Sequence, residues 1–155
     1  MVMATIFWVS DGVILTDFLD GERTVTASYY KAVLRKLKTA LAKKLTGKLH
    51  FGVLFHHDNA RAHSSKTLRT VSREFRCEVI PHPPYSPDVA PSDFFLFSKL
   101  KEHLNGRVFR SADDVKRVVW TWCNTQPLGF YKEGLRRWRH RLQKCLKVDG
   151  RYVKK

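Results

Sequence analysis

Acidic side chains are what this sequence has least of. Fourteen Asp and Glu stand against twenty-nine Lys and Arg, a formal net charge of +15 over 155 residues. A small domain with that excess characteristically meets a polyanion, most often nucleic acid. Cysteine is scarce too: Cys77, Cys123 and Cys145 are odd in number, widely spaced and never in a CxxC pair. That leaves neither a disulfide framework nor a zinc ribbon, and it fits a reduced intracellular protein. No apolar run approaches the roughly 18 residues of a membrane helix, so no membrane partner is expected. The apolar opening Met1–Val9 has no basic lead-in and no small-residue cleavage site, and is not read as a signal peptide. GxSxG, GxGxxG and P-loop patterns are missing, which removes those grounds for a hydrolase or a nucleotide site.

What is present suits one folded domain. Hydrophobic residues make up 43%, and ten Phe, four Trp and five Tyr give the core bulk. Apolar, β-prone residues 2–9, the turn signal Ser10-Asp11-Gly12 and a second run Val13–Leu19 predict a β-hairpin. Thr26 or Ser28 can cap a long helix with Tyr30, Leu34, Leu37 and Leu41 on one face, stopped at Thr46-Gly47. Phe51–Phe55 and Cys77–Ile80 read as buried strands around a short helix that opens at Ser64 or Ser65 and turns Leu68, Val71 and Phe75 inward. Five of the six prolines fall between Pro81 and Pro91, a stiff loop rather than a regular element.

Pro91-Ser92-Asp93 then opens a helix bearing Phe94, Phe97, Leu100 and Leu104, ended by Asn105-Gly106. Ser111 with Asp114 predicts a capping box for a helix bearing Val115, Val118, Val119 and Trp122. A last helix spaces Tyr131, Leu135, Trp138, Leu142 and Cys145 along one face. Arg136, Arg137, Arg139, Arg141, Lys144 and Lys147 lie on its other faces. The aromatic residues of these C-terminal helices are expected on the apolar faces, as core rather than as a stacking platform. The order ββαβαβ followed by helices gives an α/β fold.

The charge is uneven. Residues 1–50 hold 8 basic and 4 acidic side chains, residues 51–100 hold 6 and 5, and residues 101–155 hold 15 and 5, so the net charges are +4, +1 and +10. The basic C-terminal helices read either as a solvated face or, as so large an excess favours, as a surface for the DNA backbone, with Arg136, Arg137, Arg139, Arg141 and Lys144 as candidates. The near-neutral middle holds the candidate chemistry. His56-His57-Asp58-Asn59 lies just past the end of the Phe51–Phe55 strand, where open α/β sheets form their sites. Asp93 follows the stiff loop in the first turn of a helix. Carboxylates from separate elements are what a two-metal phosphoryl-transfer site requires. Spacing alone favours the plainer reading, with Asp58 capping a turn and Asp93 complementing a helix N-terminus. The nearby histidines lack the paired ligand spacing that zinc takes.

Longer motifs decide between these readings. His57-Asp58-Asn59-Ala60-Arg61-Ala62-His63, then Pro81-His82-Pro83-Pro84-Tyr85-Ser86-Pro87-Asp88-Val89-Ala90-Pro91-Ser92-Asp93, resembles the catalytic domain of the mariner transposases. The 34 residues from Asn59 to Ser92 match that family's spacing between its second and third catalytic acids. The likeness extends to Val2–Trp8, Phe130–Gly134 and Arg141–Cys145.

The resemblance implies an RNase H-like fold of the retroviral integrase superfamily. It also implies two Mg²⁺ or Mn²⁺ ions held by carboxylates, DNA cleavage and strand transfer, DNA and a second transposase subunit (a homodimer) as partners, and a nuclear location. By motif position Asp58 is the second acid and Asp93 the third, both catalytic and metal-binding. Arg61 and His63 are structural or DNA-contact candidates.

Two departures matter. Ala62 stands where the family usually has proline. More seriously, no acid here matches the first catalytic position, which the family carries in a TGDE-like motif upstream of the Val2–Trp8 hairpin. Asp11, Asp17 and Asp20 lie in the hairpin and its loops, away from it. The resemblance therefore implies a single RNase H-like catalytic domain fragment over residues 1–155, with the first, central strand and the N-terminal helix-turn-helix region lacking. The expectation is a catalytically defective enzyme. The alternatives are a non-catalytic nucleic-acid-binding or subunit-interaction module, or a piece of a SET-methyltransferase–mariner fusion, although nothing in the chain resembles a SET domain.

Overall fold

A computed structural model of the chain describes residues 2–20, 26–44, 53–56, 73, 77–80 and 89–147. Strands β1 (Val2–Val9) and β2 (Gly12–Asp20) pair antiparallel across the two-residue turn Ser10-Asp11, as predicted. Gly12 closes that turn at φ 138°, a conformation side chains resist. The register slips between Phe7 and Trp8: Phe7 faces Leu15 while Trp8 faces Val13, so Ile14 is the extra residue of a β-bulge.

The bulge resets which way β2 points. On β1, Phe7 and Val9 pack toward one core while Ala4, Ile6 and Trp8 pack toward another. On β2, Val13 and Phe18 join the second core, whereas the neighbours Ile14 and Leu15 both join the first. Strict alternation would have split Ile14 from Leu15. The hairpin is thus a ribbon buried on both faces.

The first core lies against α1 (Ala27–Lys44). Of the two cap candidates it is Thr26 that acts: its Oγ1 accepts from the Tyr29 amide at 3.1 Å. Tyr30, Leu34, Leu37 and Leu41 are buried as their spacing required, and Val33 joins them. Helix α1 is described through Lys44, and the stop expected at Thr46-Gly47 lies outside the described residues. Asp17 is the buried acid of this interface. Its carboxylate accepts from the Tyr29 hydroxyl and, at 3.0 Å, from Lys36 Nζ, pinning β2 to α1.

Strands β3 (Val53–His56) and β4 (Cys77–Ile80) pair in parallel. Of the strand expected over Phe51–Phe55, residues 53–55 are described as strand, and it runs on to His56, which lies inside it rather than beyond its end; Phe51 and Gly52 are outside the described residues. Parallel neighbours need a crossover. Of the helix predicted there, only Arg73 is described and is helical, while Leu68, Val71 and Phe75 are outside. Among the described residues the two strand pairs form separate two-stranded sheets, with no ladder joining them.

The second core is built by the C-terminal helices. Pro91 enters with helical φ −60° and ψ −28°, and the Ala90 carbonyl accepts from the amides of both Asp93 (2.9 Å) and Phe94 (3.0 Å). The first turns, Ser92–Phe97, are π-helical before α2 (Ser98–Leu104) resumes ordinary pitch. This corrects the expected facing. Phe95 (2% exposed) and Leu96 (0%) are buried, and Phe94 and Phe97 are only half-buried. Each residue added to a turn rotates the downstream side chains by roughly 100°, which α-spacing cannot anticipate.

Helix α3 (Ala112–Asn124) starts as predicted, with Ser111 Oγ accepting from the Asp114 amide at 3.2 Å; the Asp114 carboxylate pairs with Arg117. It buries Val119 and Cys123, with Val115, Val118 and Trp122 half-buried. Trp120, however, is 56% exposed, so not every aromatic residue here is core. Helix α4 (Phe130–Lys147) buries Tyr131 and half-buries Leu135 and Trp138. Leu142, expected on the same face, is exposed, while Cys145 is half-buried. Among the described residues no helix is long and apolar enough to cross a membrane.

Candidate catalytic cleft and basic helix

Asp93 stands in the first π-helical turn, exposed, with Ser92 half-buried beside it. Asp58, Arg61 and His63 lie outside the described residues. The strand leading toward Asp58 is described to His56, whose ring lies 4.9 Å from that of Trp138 on α4. A cavity of about 370 Å³ opens between the hairpin, α1, β3 and α4, and its lining includes Ile6, Trp8, Leu37, His56, Ser92 and Trp138. The described lining thus includes His56, two residues before Asp58 in sequence, and Ser92, one residue before Asp93.

The sequence reading missed Trp8 and Ser92 as parts of this cleft. Trp8 Nε1 donates to Ser92 Oγ at 3.1 Å across 84 residues of sequence. The Trp8 ring stacks on Phe95 (6.3 Å, 29°) and leans on Tyr131 (5.5 Å). The only sequence signal was an aromatic residue at the end of an apolar strand, and that is ordinary core.

The hairpin's acids are engaged elsewhere. Asp17 holds Tyr29 and Lys36, and Asp20 pairs with Lys116 of α3. Among the described residues no cluster of three or more His, Cys, Asp or Glu is placed to hold a metal ion. Asp93 does offer an exposed carboxylate, the hard oxygen donor that Mg²⁺ and Mn²⁺ take.

The basic residues of α4 divide into three kinds. Arg136 grips Glu133 twice, Nε at 2.8 Å and Nη2 at 2.6 Å, and Arg137 Nε adds a contact at 3.1 Å. Those hydrogen bonds, Arg136 first, pull the Glu133 carboxyl down to about 2, and Glu133 in turn raises Arg136. Arg141 lies over the Phe94 ring at 4.0 Å, and Arg137 and Lys99 lie 5.6 Å and 5.5 Å from the Phe95 centroid. Arg139 and Lys144 are exposed. Cations from α4 therefore flank the turn that carries Asp93, the sign of charge that draws a phosphate backbone toward it.

Comparison with known proteins agrees with this geometry. The family described as "Transposase (partial DDE domain)" matches residues 1–51. The chain is 34% identical to the Mariner Mos1 transposase of Drosophila mauritiana over 153 residues, 97% of this chain and 44% of that protein. It is 32% identical to human histone-lysine N-methyltransferase SETMAR over 152 residues, spanning 22% of that protein. The chain thus spans less than half the length of either relative. Among solved structures, the Mos1 catalytic domain with Raltegravir and Mn matches with a TM-score of 0.91 at 34% identity, covering 99% of this chain and 78% of that one. The Mos1 paired end complex with Mn gives 0.92 at 35% identity, covering 99% and 45%. This chain belongs to the mariner transposases, and its α/β fold is that of their RNase H-like catalytic domain.

Proposed function

We propose that residues 1–155 form one RNase H-like unit of a mariner DNA transposase, with Asp58 and Asp93 as its metal-holding carboxylates. The observation that carries this is the shared cavity, whose lining includes His56, two residues before Asp58, and Ser92, one before Asp93. Mos1 catalytic domain structures contain Mn or Mg, which supports the same choice of ion here. When bound, such ions supply Lewis-acid activation of an attacking hydroxyl and charge stabilisation at the phosphodiester. The chain's own residues supply the rest. The π-helical turn holds Asp93 in place, and Arg139, Arg141 and Lys144 of α4 meet the phosphate backbone. Arg61 and His63, close to Asp58 in sequence, are further DNA contacts.

The same reading gives the partners, duplex DNA and a second transposase subunit; Mos1 itself forms a paired end complex. The location is nuclear. We read the 155 residues by themselves as binding DNA without cutting it: among the described residues Asp17 and Asp20 are committed to Tyr29, Lys36 and Lys116, and neither is placed as a third metal-holding carboxylate. That commitment also favours a second reading, a non-catalytic DNA-binding or subunit-interaction module. No methyltransferase activity is proposed, since the likeness to the human relative spans only 22% of it.

Titration with Mn²⁺ tests the site. Weak binding to the 155-residue chain should be lost in both Asp58→Asn and Asp93→Asn, and retention in both overturns the assignment. Anisotropy with random duplex tests the basic helix. Affinity should fall by about 100-fold or more between 50 and 200 mM salt if some four phosphates are neutralised.

A further inference from the structure

We infer that Trp8 is a positioning residue for Asp93, acting through Ser92; this rests on Asp93 being a metal-holding acid. The indole N–H donates to Ser92 Oγ at 3.1 Å, one residue before the acid. Two residues after the acid, Phe95 is stacked on the same indole, 6.3 Å between centroids. Asp93 is therefore bracketed on both sides by one side chain from a distant strand. The exposed carboxylate itself sits on backbone whose amides at Asp93 and Phe94 share the single Ala90 carbonyl. That turn is π-helical, a rare geometry found most often as a short bulge at functional sites.

Trp8 is built to reach that turn. The β-bulge at Phe7/Trp8 sets Trp8 opposite Val13, and both face the helical core. Bulges next to functional sites commonly re-aim a side chain in this way. Tyr131 closes the far side of the indole at 5.5 Å and is fixed by donating its hydroxyl to the Cys123 carbonyl.

The test uses the whole chain with four variants: Trp8→Phe, which keeps an aromatic ring and removes the donor, Ser92→Ala, Asp93→Asn, and Leu34→Val. The last disturbs the other core, against α1, and leaves Trp8, Phe95 and Tyr131 untouched. Trp8→Phe and Ser92→Ala should each weaken Mn²⁺ binding by about 10-fold, the lower end for losing a partner that orients a ligand. The double variant should be no weaker than either single. Amide exchange at Asp93 and Phe94 should quicken in both singles, while that at Val119 does not. Leu34→Val should lower the melting temperature and leave Mn²⁺ affinity as it was. Unchanged exchange at Asp93 and Phe94 in Trp8→Phe overturns the inference, as does an equal loss of Mn²⁺ affinity in Leu34→Val. If Asp93→Asn retains full Mn²⁺ affinity, the metal reading of Asp93 is what fails. The exchange measurement then still decides whether Trp8 holds the turn.

Discussion

Gly134 of α4 lies so close against Phe95 that a Cβ there would stand 2.5 Å from Cδ2 and 2.7 Å from Cε2 of the ring. The absent side chain is what lets α4 reach the turn bearing Asp93. Phe95 cannot retreat, being packed between Trp8, 6.3 Å away, and Phe130, 4.9 Å away.

Gly134→Ala should therefore destabilise the protein, although alanine is the better helix former by up to about 1 kcal/mol. Overpacking of a filled core typically costs about 1–3 kcal/mol, and here it outweighs that gain. A urea midpoint that rises in Gly134→Ala would show that the ring yields.

The Asp17 clamp gives a second prediction. Asp17→Ala leaves the Tyr29 hydroxyl and Lys36 without their shared acceptor, at a cost of about 1–3 kcal/mol. Burial, then the hydrogen bond to Asp17 and its charge, push Tyr29 up to about 12 from 10.0. A raised folded value means that the unfolded chain gives up the proton first. The Tyr29 contribution is thus intact below pH 10 and is lost as pH climbs toward 12, while that of Cys123 begins to fall near pH 9. Chemical denaturation across that range should show the decline, and Tyr29→Phe should remove part of it. Cys123, pushed by burial up to about 11, leaves a remainder.

If α4 meets DNA as proposed, Glu133 restrains it by holding Arg136 and Arg137. Glu133→Gln takes away one negative charge and releases Arg136 and Arg137, so affinity for random duplex should rise. The slope of log K against log salt should steepen by about 1 to 2. Because those arginines hold Glu133 at about 2, it contributes no pH dependence to DNA binding between pH 5 and 8. A Glu133→Gln chain that binds DNA no better would place the contact on other residues.

Purified protein should not nick supercoiled DNA with Mn²⁺. The outcome that contradicts this is nicking that vanishes in Asp58→Ala.

Much of the scaffold was legible because local chemistry wrote it. The two-residue turn before Gly12, the Thr26 and Ser111 caps and the periodicity of α1 each depend on neighbours in sequence. What escaped depends on distant partners. The extra residue Ile14 is invisible in a run of β-prone side chains, and it decides that Ile14 and Leu15 share a core. The π-helical turn exchanged Phe94 and Phe97 for Phe95 and Leu96 as the buried pair, because packing against the hairpin and α4 overrode α-spacing. Asp93 was found through a long motif and its spacing, whereas the Trp8–Ser92 bond spans 84 residues and left no pattern. Arg136 and Arg137, read as DNA contacts, turned out to share Glu133, which the i, i+3 and i, i+4 spacing could have shown.

The hairpin separates two cores, one holding Ile14 against α1 and the other holding Ile6 against the C-terminal helices. Substitutions on opposite faces of such a ribbon share few neighbours, so their effects should add. The lineage could then drift on the α1 side while the side that supports Asp93 stayed under separate selection. Two halves of one small protein would keep different evolutionary clocks.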